Sequence, residues 1–199
     1  MGHPENSTPS QLIVISAPSG TGKTTLCQKL LEDFPSLVLS ISSTTRLPRG
    51  TEKEGIAYFF LSSEEFQARI AKHLFAEWAQ VHGNYYGTSV EFIERIFKSK
   101  RSVLLDIDVQ GAAQLKKSFP QNCRRIFIAP PDLQELEKRL RARKTDSDTS
   151  IKKRLENANQ EMQAAKNFDH IVVNDDLNRA YAELKNIMIF QYGFIARKE

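Results

Sequence analysis

Residues 11–25 read QLIVISAPSGTGKTT, and the order of what they contain decides the fold. Gln11–Ser16 is an apolar run rich in β-branched residues, the composition of a strand buried on both faces. The next six residues, Ala17 to Gly22, form a glycine-containing loop. Gly20 and Gly22 let the backbone curl so that successive N–H groups point inward. From Thr24 to Phe34, Cys27, Leu30, Leu31 and Phe34 recur on one helical stripe, and Pro35 ends it. Strand, glycine-containing loop and helix in this order aim a ring of N–H donors and a positive helix terminus at one point. That point suits a polyphosphate. Lys23 can reach its terminal phosphates, and the Thr24 hydroxyl suits Mg²⁺, a hard cation that takes oxygen ligands.

The spacing is that of a P-loop, with Ala17 where the commonest form has glycine. Ala17, Pro18, Ser19, Gly20, Thr21, Gly22, Lys23, Thr24 and Thr25 are therefore the candidate ATP-binding residues. Moving outward, Val38–Ser42 reads as a second strand. The stretch from Ser43 to about Ser89 differs: turn residues, then YFFLS, then a helix opened by the capping box Ser62-Ser63-Glu64-Glu65. FAEWAQV, a Gly83-Asn84 turn and YYGT follow as a hairpin. Regular alternation then resumes. Thr88-x-x-Glu91 is expected to cap a helix to about Lys98, Ser102–Ile107 is a buried strand, and Val109–Phe119 a helix. Arg125–Ala129 is a strand, and Asp132-x-x-Glu135 opens a charged helix to about Arg143. Polar residues Lys144–Ser150 break it. Ile151–Phe168 is a helix, His170–Val173 a strand and Leu177–Ala196 a closing helix. This alternation predicts an α/β fold with a parallel sheet, which binds ligands outside the carboxyl ends of its strands. Asp106 and Asp108 stand at such an end, where Asp106 can hold Mg²⁺ directly or through water.

The chain has 199 residues, 40% of them hydrophobic and 26% charged, ordinary values for one globular core. No apolar run approaches the ~18 residues that cross a bilayer. Residues 1–10 are polar with two prolines, a flexible lead-in without the apolar stretch of a secretory signal. Cys27 and Cys123 fit no metal spacing and no disulfide framework; Cys27 reads as a buried free thiol in a reducing cytoplasm. The net charge of +4 comes without a long single-sign block, which suits small polyanions at least as well as nucleic acid.

Several motifs behind the P-loop point one way. They are ISSTTRLPRG (Ile41–Gly50) with Glu52, Gly55 and Tyr58, then FAEWAQVHGNYYGTS (Phe75–Ser89), LDIDVQG (Leu105–Gly111), IFIAPP (Ile126–Pro131) and VVNDD (Val172–Asp176). Together they resemble the guanylate kinase family, from about Gln11 to the C-terminal helix. The resemblance implies a P-loop kinase that moves the γ-phosphoryl group of ATP, with Mg²⁺, onto GMP and dGMP in guanine nucleotide metabolism. It implies Arg46, Arg49, Tyr58 and Tyr86 at the GMP phosphate, and Glu77, Ser42 and Asp108 at the guanine with Thr88 close by. The chemistry agrees: a guanine edge donates from N1–H and its amino group, which a carboxylate can accept in a fork, whereas adenine offers an acceptor at N1. Taken singly, Arg46 and Arg49 could be a solvated turn, Tyr85 and Tyr86 hairpin packing, and Glu77 the solvent face of a strand.

The resemblance also implies lid arginines, Arg139, Arg143 and Arg154, that clamp charge spread over the transferring phosphoryl group, and an adenine-side contact from Asn174. Lys23 and Arg46 join them as candidate catalytic residues. Glu135–Arg139 and Glu137–Arg141 could equally be surface pairs on a solvated helix. The expected division is a core of residues 11–41, 100–132 and 164–199, a strand-rich GMP-binding insert of 42–99 and a helical lid of 133–163. The expected partners are ATP and GMP, with no nucleic acid, no membrane and no obligatory protein partner. The other readings are a non-catalytic peptide-binding module and a kinase for a different nucleoside monophosphate. Retained Lys23, Thr24, Arg46, Arg49 and Glu77 argue against the first, and Glu77 with Ser42 against the second.

Overall fold

A computed structural model describes residues 9–81, 83–142 and 147–197. The first strand is β1 (Leu12–Ser16), and every one of its residues is buried. Helix α1 (Lys23–Asp33) follows the loop. The larger sheet is completed by β2 (Leu37–Leu39), β7 (Ser102–Asp106), β8 (Cys123–Ala129) and β9 (His170–Val173), in the order β2-β7-β1-β8-β9. All its pairings are parallel. The unbroken apolar runs of β1 and β7 are what a sheet covered on both faces requires. Their pleat divides the core in two. Ile13, Ile15, Leu104, Ile126 and Ile128 pack with Leu26 and Leu30 of α1 and with Leu184 and Met188. Leu12, Val14, Val103 and Leu105 pack on the other face with Ile93, Ala112 and Leu115.

The stretch between β2 and β7 builds a second sheet. Its strands are β3 (Ser43–Thr44), β4 (Phe59–Phe60), β5 (Phe75–Val81) and β6 (Asn84–Ser89), in the order β4-β3-β6-β5. Between β4 and β5 lies α2 (Ser63–Ala71), whose capping box joins Ser62 and Glu65 as expected. Helix α3 (Val90–Lys98) leads back to the larger sheet, but its cap is Ser89, whose Oγ accepts from the Phe92 N–H. Thr88, expected in that role, stays in β6 and turns its hydroxyl inward, where a buried carboxylate outcompetes a helix end.

After β7 come α4 (Val109–Ser118), α5 (Leu133–Ala142) and α6 (Asp148–Ala164). The last starts earlier than the polar composition suggests, because Ser147 caps it by accepting from the Ser150 N–H. Helices α5 and α6 share a small core of Leu136, Leu140, Ile151 and Ala158. The closing helix α7 spans Leu177–Asn186, shorter than expected. A π-helical turn over Ile187–Gln191 and the left-handed Gly193 end it before Ala196. Among the described residues no helix is long and apolar enough to cross a membrane.

Candidate active site

The register Ile15↔Asp106 puts the carboxyl ends of β1 and β7 side by side, so the loop after β1 and the acids after β7 share one rim. The loop itself is fixed from within. Gly20 and Gly22 hold φ of 99° and 88°, a left-handed region that a side chain resists. The buried Thr21 donates from its hydroxyl to Pro18 O at 2.9 Å. The Asn174 carboxamide, buried and packed against Gly22, donates to Thr21 O at 2.6 Å. That placement makes Asn174 a brace of the loop and leaves it outside the lining of the cleft. Thr24 and Thr25 are exposed at the start of α1, beside Lys23.

Lys23 forms an ion pair with Asp106. Burial opposes its charge, but the Asp106 carboxylate outweighs burial and holds the ammonium above the usual lysine range. One turn on, Cys27 is a buried free thiol whose burial pushes it up to about 12, consistent with an inert core position.

The opposite wall belongs to the smaller sheet. In β5, Glu77 and Ala79 face inward while Trp78 and Gln80 face out, so the expected alternative of a solvent-facing Glu77 is overturned. Glu77 is 4% exposed. Its register partner Thr88 donates from the hydroxyl to Glu77 Oε1 at 2.6 Å. Burial pushes the Glu77 carboxyl up to about 7, the Thr88 hydrogen bond opposes that, and the nearby Asp108 adds to it. The carboxylate lies so close to Gly111 of α4 that any Cβ there would collide with Oε2. Gln114, one turn further, fixes the strand to the helix by donating to Trp78 O at 2.7 Å and accepting from its N–H at 3.2 Å. Asp108 caps α4, accepting from the Gly111 N–H at 2.8 Å.

A third set forms the outer rim. Arg46 donates through Nη1 and Nη2 to the two oxygens of Glu52, each at 3.0 Å, and through Nη1 to Leu47 O at 2.8 Å. The fork with Glu52 keeps Arg46 well above, and Glu52 well below, the usual range of each group. Glu52 also accepts from the Arg49 N–H at 2.8 Å. The Arg46 guanidinium lies 5.2 Å from the Tyr58 ring, and the rings of Tyr58 and Tyr86 are 5.9 Å apart. Phosphate loop, Ser42, Tyr58, Glu77, Tyr86, Asp106 and Asp108 thus line one cleft of about 430 Å³. Arg49 is exposed at the rim, and Thr88 stands behind Glu77.

The helices α5 and α6 rest on the phosphate loop. A Cβ at Gly20 would meet Leu140 Cδ2 at 3.0 Å. Arg154 donates through Nη1 to Ser19 Oγ at 2.6 Å. Arg139 points elsewhere: Nη1 donates to Asn174 O at 2.8 Å and Nε to Glu135 Oε1 at 3.2 Å, away from the cleft. Arg143 lies outside the described residues. The cleft also contains one group that motif reading misses, Glu161 of α6.

The guanylate kinase family model matches residues 9–191. The chain belongs to the guanylate kinase family. It is 50% identical to the guanylate kinase of a Synechocystis species over 188 residues, which is 94% of this chain and 98% of that protein. It is 51% identical to the guanylate kinase of Oleidesulfovibrio alaskensis over 174 residues, 87% of this chain and 84% of the other. Among solved structures it is similar to the crystal structure of guanylate kinase from Anaplasma phagocytophilum. The TM-score is 0.76 at 32% identity, covering 94% of this chain and 88% of that one. As a guanylate kinase homologue, the chain has its phosphate loop, buried acid and paired tyrosines lining one cleft, with Arg46 against the Tyr58 ring. Glu52 and Gly111, which orient these groups, stand within motifs already legible in the sequence, and Gln114 lies outside them; nothing local announces what any of the three touches.

Proposed function

We infer that the chain transfers the γ-phosphoryl group of ATP to GMP, giving ADP and GDP. One observation carries this reading: a buried carboxylate already paired with a hydroxyl, Glu77 with Thr88, faces a phosphate loop across a single cleft. A base with two adjacent donors satisfies that carboxylate; adenine, with an acceptor at N1, leaves it opposed. In this reading Ser42 and Asp108 complete the guanine pocket. Arg46, Arg49, Tyr58 and Tyr86 take the GMP phosphate, Arg46 being pre-oriented by Glu52 so that little rotamer freedom is lost on binding.

ATP lies along residues 17–25, its β- and γ-phosphates on the loop N–H groups and on Lys23, which leaves Asp106 to reach them. Arg154, and Arg143 and Arg139 after a change of partners, supply positive charge to the transferring group. The chemistry is in-line transfer between bound nucleotides, so the protein contributes positioning and charge, with no covalent enzyme intermediate. Magnesium fits the residues present. Thr24 offers an exposed hydroxyl and Asp106 a carboxylate at the rim. Among the described residues no three acidic, histidine or cysteine side chains converge as a metal cage. With Thr24 and Asp106 as its protein donors, the ion would take its remaining ligands from phosphate oxygens and water and would neutralise charge at the β- and γ-phosphates. The core, GMP-binding insert and lid of this reading are residues 11–41 with 100–132 and 164–199, 42–99, and 133–163.

The test is ADP release measured with GMP, dGMP, AMP, UMP and CMP as acceptors. GMP should give the highest kcat/KM, with dGMP used less well. Equal use of AMP would overturn the guanine assignment, and no turnover with any acceptor would favour a binding module.

A further inference from the structure

The charge of the cleft is unexpected for a site that receives two polyanions. Among its described lining residues are four carboxylates, Glu77, Asp106, Asp108 and Glu161, against one cation, Lys23. Three of the four have partners. Glu77 is bonded by Thr88, Asp106 is paired with Lys23, and Asp108 caps α4. Glu161 makes no hydrogen bond or ion pair with another described residue, although it is half-buried and turned into the cleft. It stands seven residues, or two helical turns, after Arg154, which places both on one face of α6. Arg154 reaches Ser19 of the phosphate loop, and Glu161 comes within the fields of Lys23 and Asp108. Burial pushes its carboxyl up to about 7, Lys23 opposes that, and Asp108 adds to it.

An acceptor-only group in this position needs donors from the ligand. Phosphates have none to give. The two donors of the guanine edge face Glu77 on the far wall. The remaining donors of a nucleoside monophosphate are its ribose hydroxyls, which lie between base and phosphate, the interval that separates Glu77 from Arg46 and Lys23. We propose that Glu161 reads the sugar of the acceptor nucleotide, its carboxylate accepting hydrogen bonds from the ribose hydroxyls and so favouring ribonucleotide over deoxyribonucleotide. The proposal rests on the reading of Glu77 as the guanine acceptor. It makes α6 a specificity element for the acceptor as well as a source of positive charge for the donor.

Ligand edits and protein edits can be crossed to test it. The measurement is kcat/KM for GMP, dGMP, 3′-deoxy-GMP and IMP with the unaltered protein, Glu161→Ala, Glu161→Gln and Glu77→Gln. A hydroxyl bonded to a charged acceptor should make GMP better than at least one deoxy analogue by about 10-fold or more. In Glu161→Ala that ratio should fall to within about 2-fold, while the preference for GMP over IMP, which lacks the 2-amino group, stays as it was. Glu161→Gln keeps the length and one acceptor oxygen and should retain about 3-fold discrimination. Glu77→Gln should behave in the opposite way, losing the GMP-over-IMP ratio and keeping the sugar ratio. If Glu161→Ala keeps the full sugar ratio, or lowers all four substrates by one common factor, Glu161 does not read the sugar. If Glu77→Gln alone departs from expectation, the guanine assignment fails and the sugar assignment stands.

Discussion

Replacing Glu77 by glutamine keeps its volume and its bond from Thr88, and removes a titration that the structure has displaced. Burial holds the carboxyl near 7, so close to half of the free protein carries a protonated Glu77 at neutral pH. The guanine donors require the ionised form. Between pH 8 and pH 6 the competent fraction falls from about nine-tenths to about one-tenth, and kcat/KM for GMP should fall about 10-fold from this cause. The GMP phosphate titrates in the same range, so the variant is the control. At pH 8, Glu77→Gln should cost about 10- to 150-fold, the worth of hydrogen bonds to a charged group. At pH 6 the gap between the two proteins should close by about 10-fold. Stability gives an independent readout. The folded-state pKa is raised above the unfolded one, so the contribution is complete below the unfolded value and lost as pH rises through about 7. For the ligand-free protein the loss approaches about 3 kcal/mol, roughly 6–12 °C in Tm as an upper bound. Glutamine escapes it. The variant should therefore melt above the unaltered protein at pH 8 and near it at pH 5, and saturating GMP should narrow the gap at pH 8. Parallel pH–rate profiles would refute the claim that this carboxylate reads the base.

Lys23→Ala should lower kcat by on the order of 10³-fold or more while calorimetric binding of GMP alone changes little; near-normal turnover would remove the P-loop assignment. Glu52→Ala frees the fork that holds Arg46, so KM for GMP should rise about 3- to 30-fold with KM for ATP unmoved, in steady-state kinetics varying one substrate at a time. Gly111→Ala sets a methyl against the Glu77 carboxylate and should raise KM for GMP while costing about 1–3 kcal/mol in denaturant unfolding. An unchanged KM and midpoint there would mean that the contact between α4 and β5 is loose.

What the sequence makes legible is local. The apolar run of β1, the glycines after it and the stripe of α1 each announce themselves within a few residues, and the parallel sheet follows from their repetition. Where two local patterns compete, the outcome depends on what lies across the fold. Thr88 and Ser89 are both acceptable caps for α3, and the choice falls to Ser89 because a buried carboxylate on the neighbouring strand takes the Thr88 hydroxyl. The closing helix looks continuous to Ala196, yet Gly193 and the π-helical turn end it.

The site is legible in kind and hidden in placement. Glu77 sits beside Trp78 in an alternating strand, and alternation read by polarity alone puts the acid outside and the indole inside. The structure does the reverse, because α4 crosses the inner face of β5 with a glycine at the point of contact and leaves room for a carboxylate. Nothing at residue 77 encodes that; residue 111 does. The same holds for Arg154 on Ser19, 135 residues away, and for Asn174 on Thr21, 153 away. Glu161 is the extreme case. Its neighbours in sequence describe only a polar helix, and its position becomes informative when the walls it faces are known. A carboxylate that finds no donor among the described residues, in a cleft whose other acids all have one, is read most economically as waiting for a donor that arrives with the substrate.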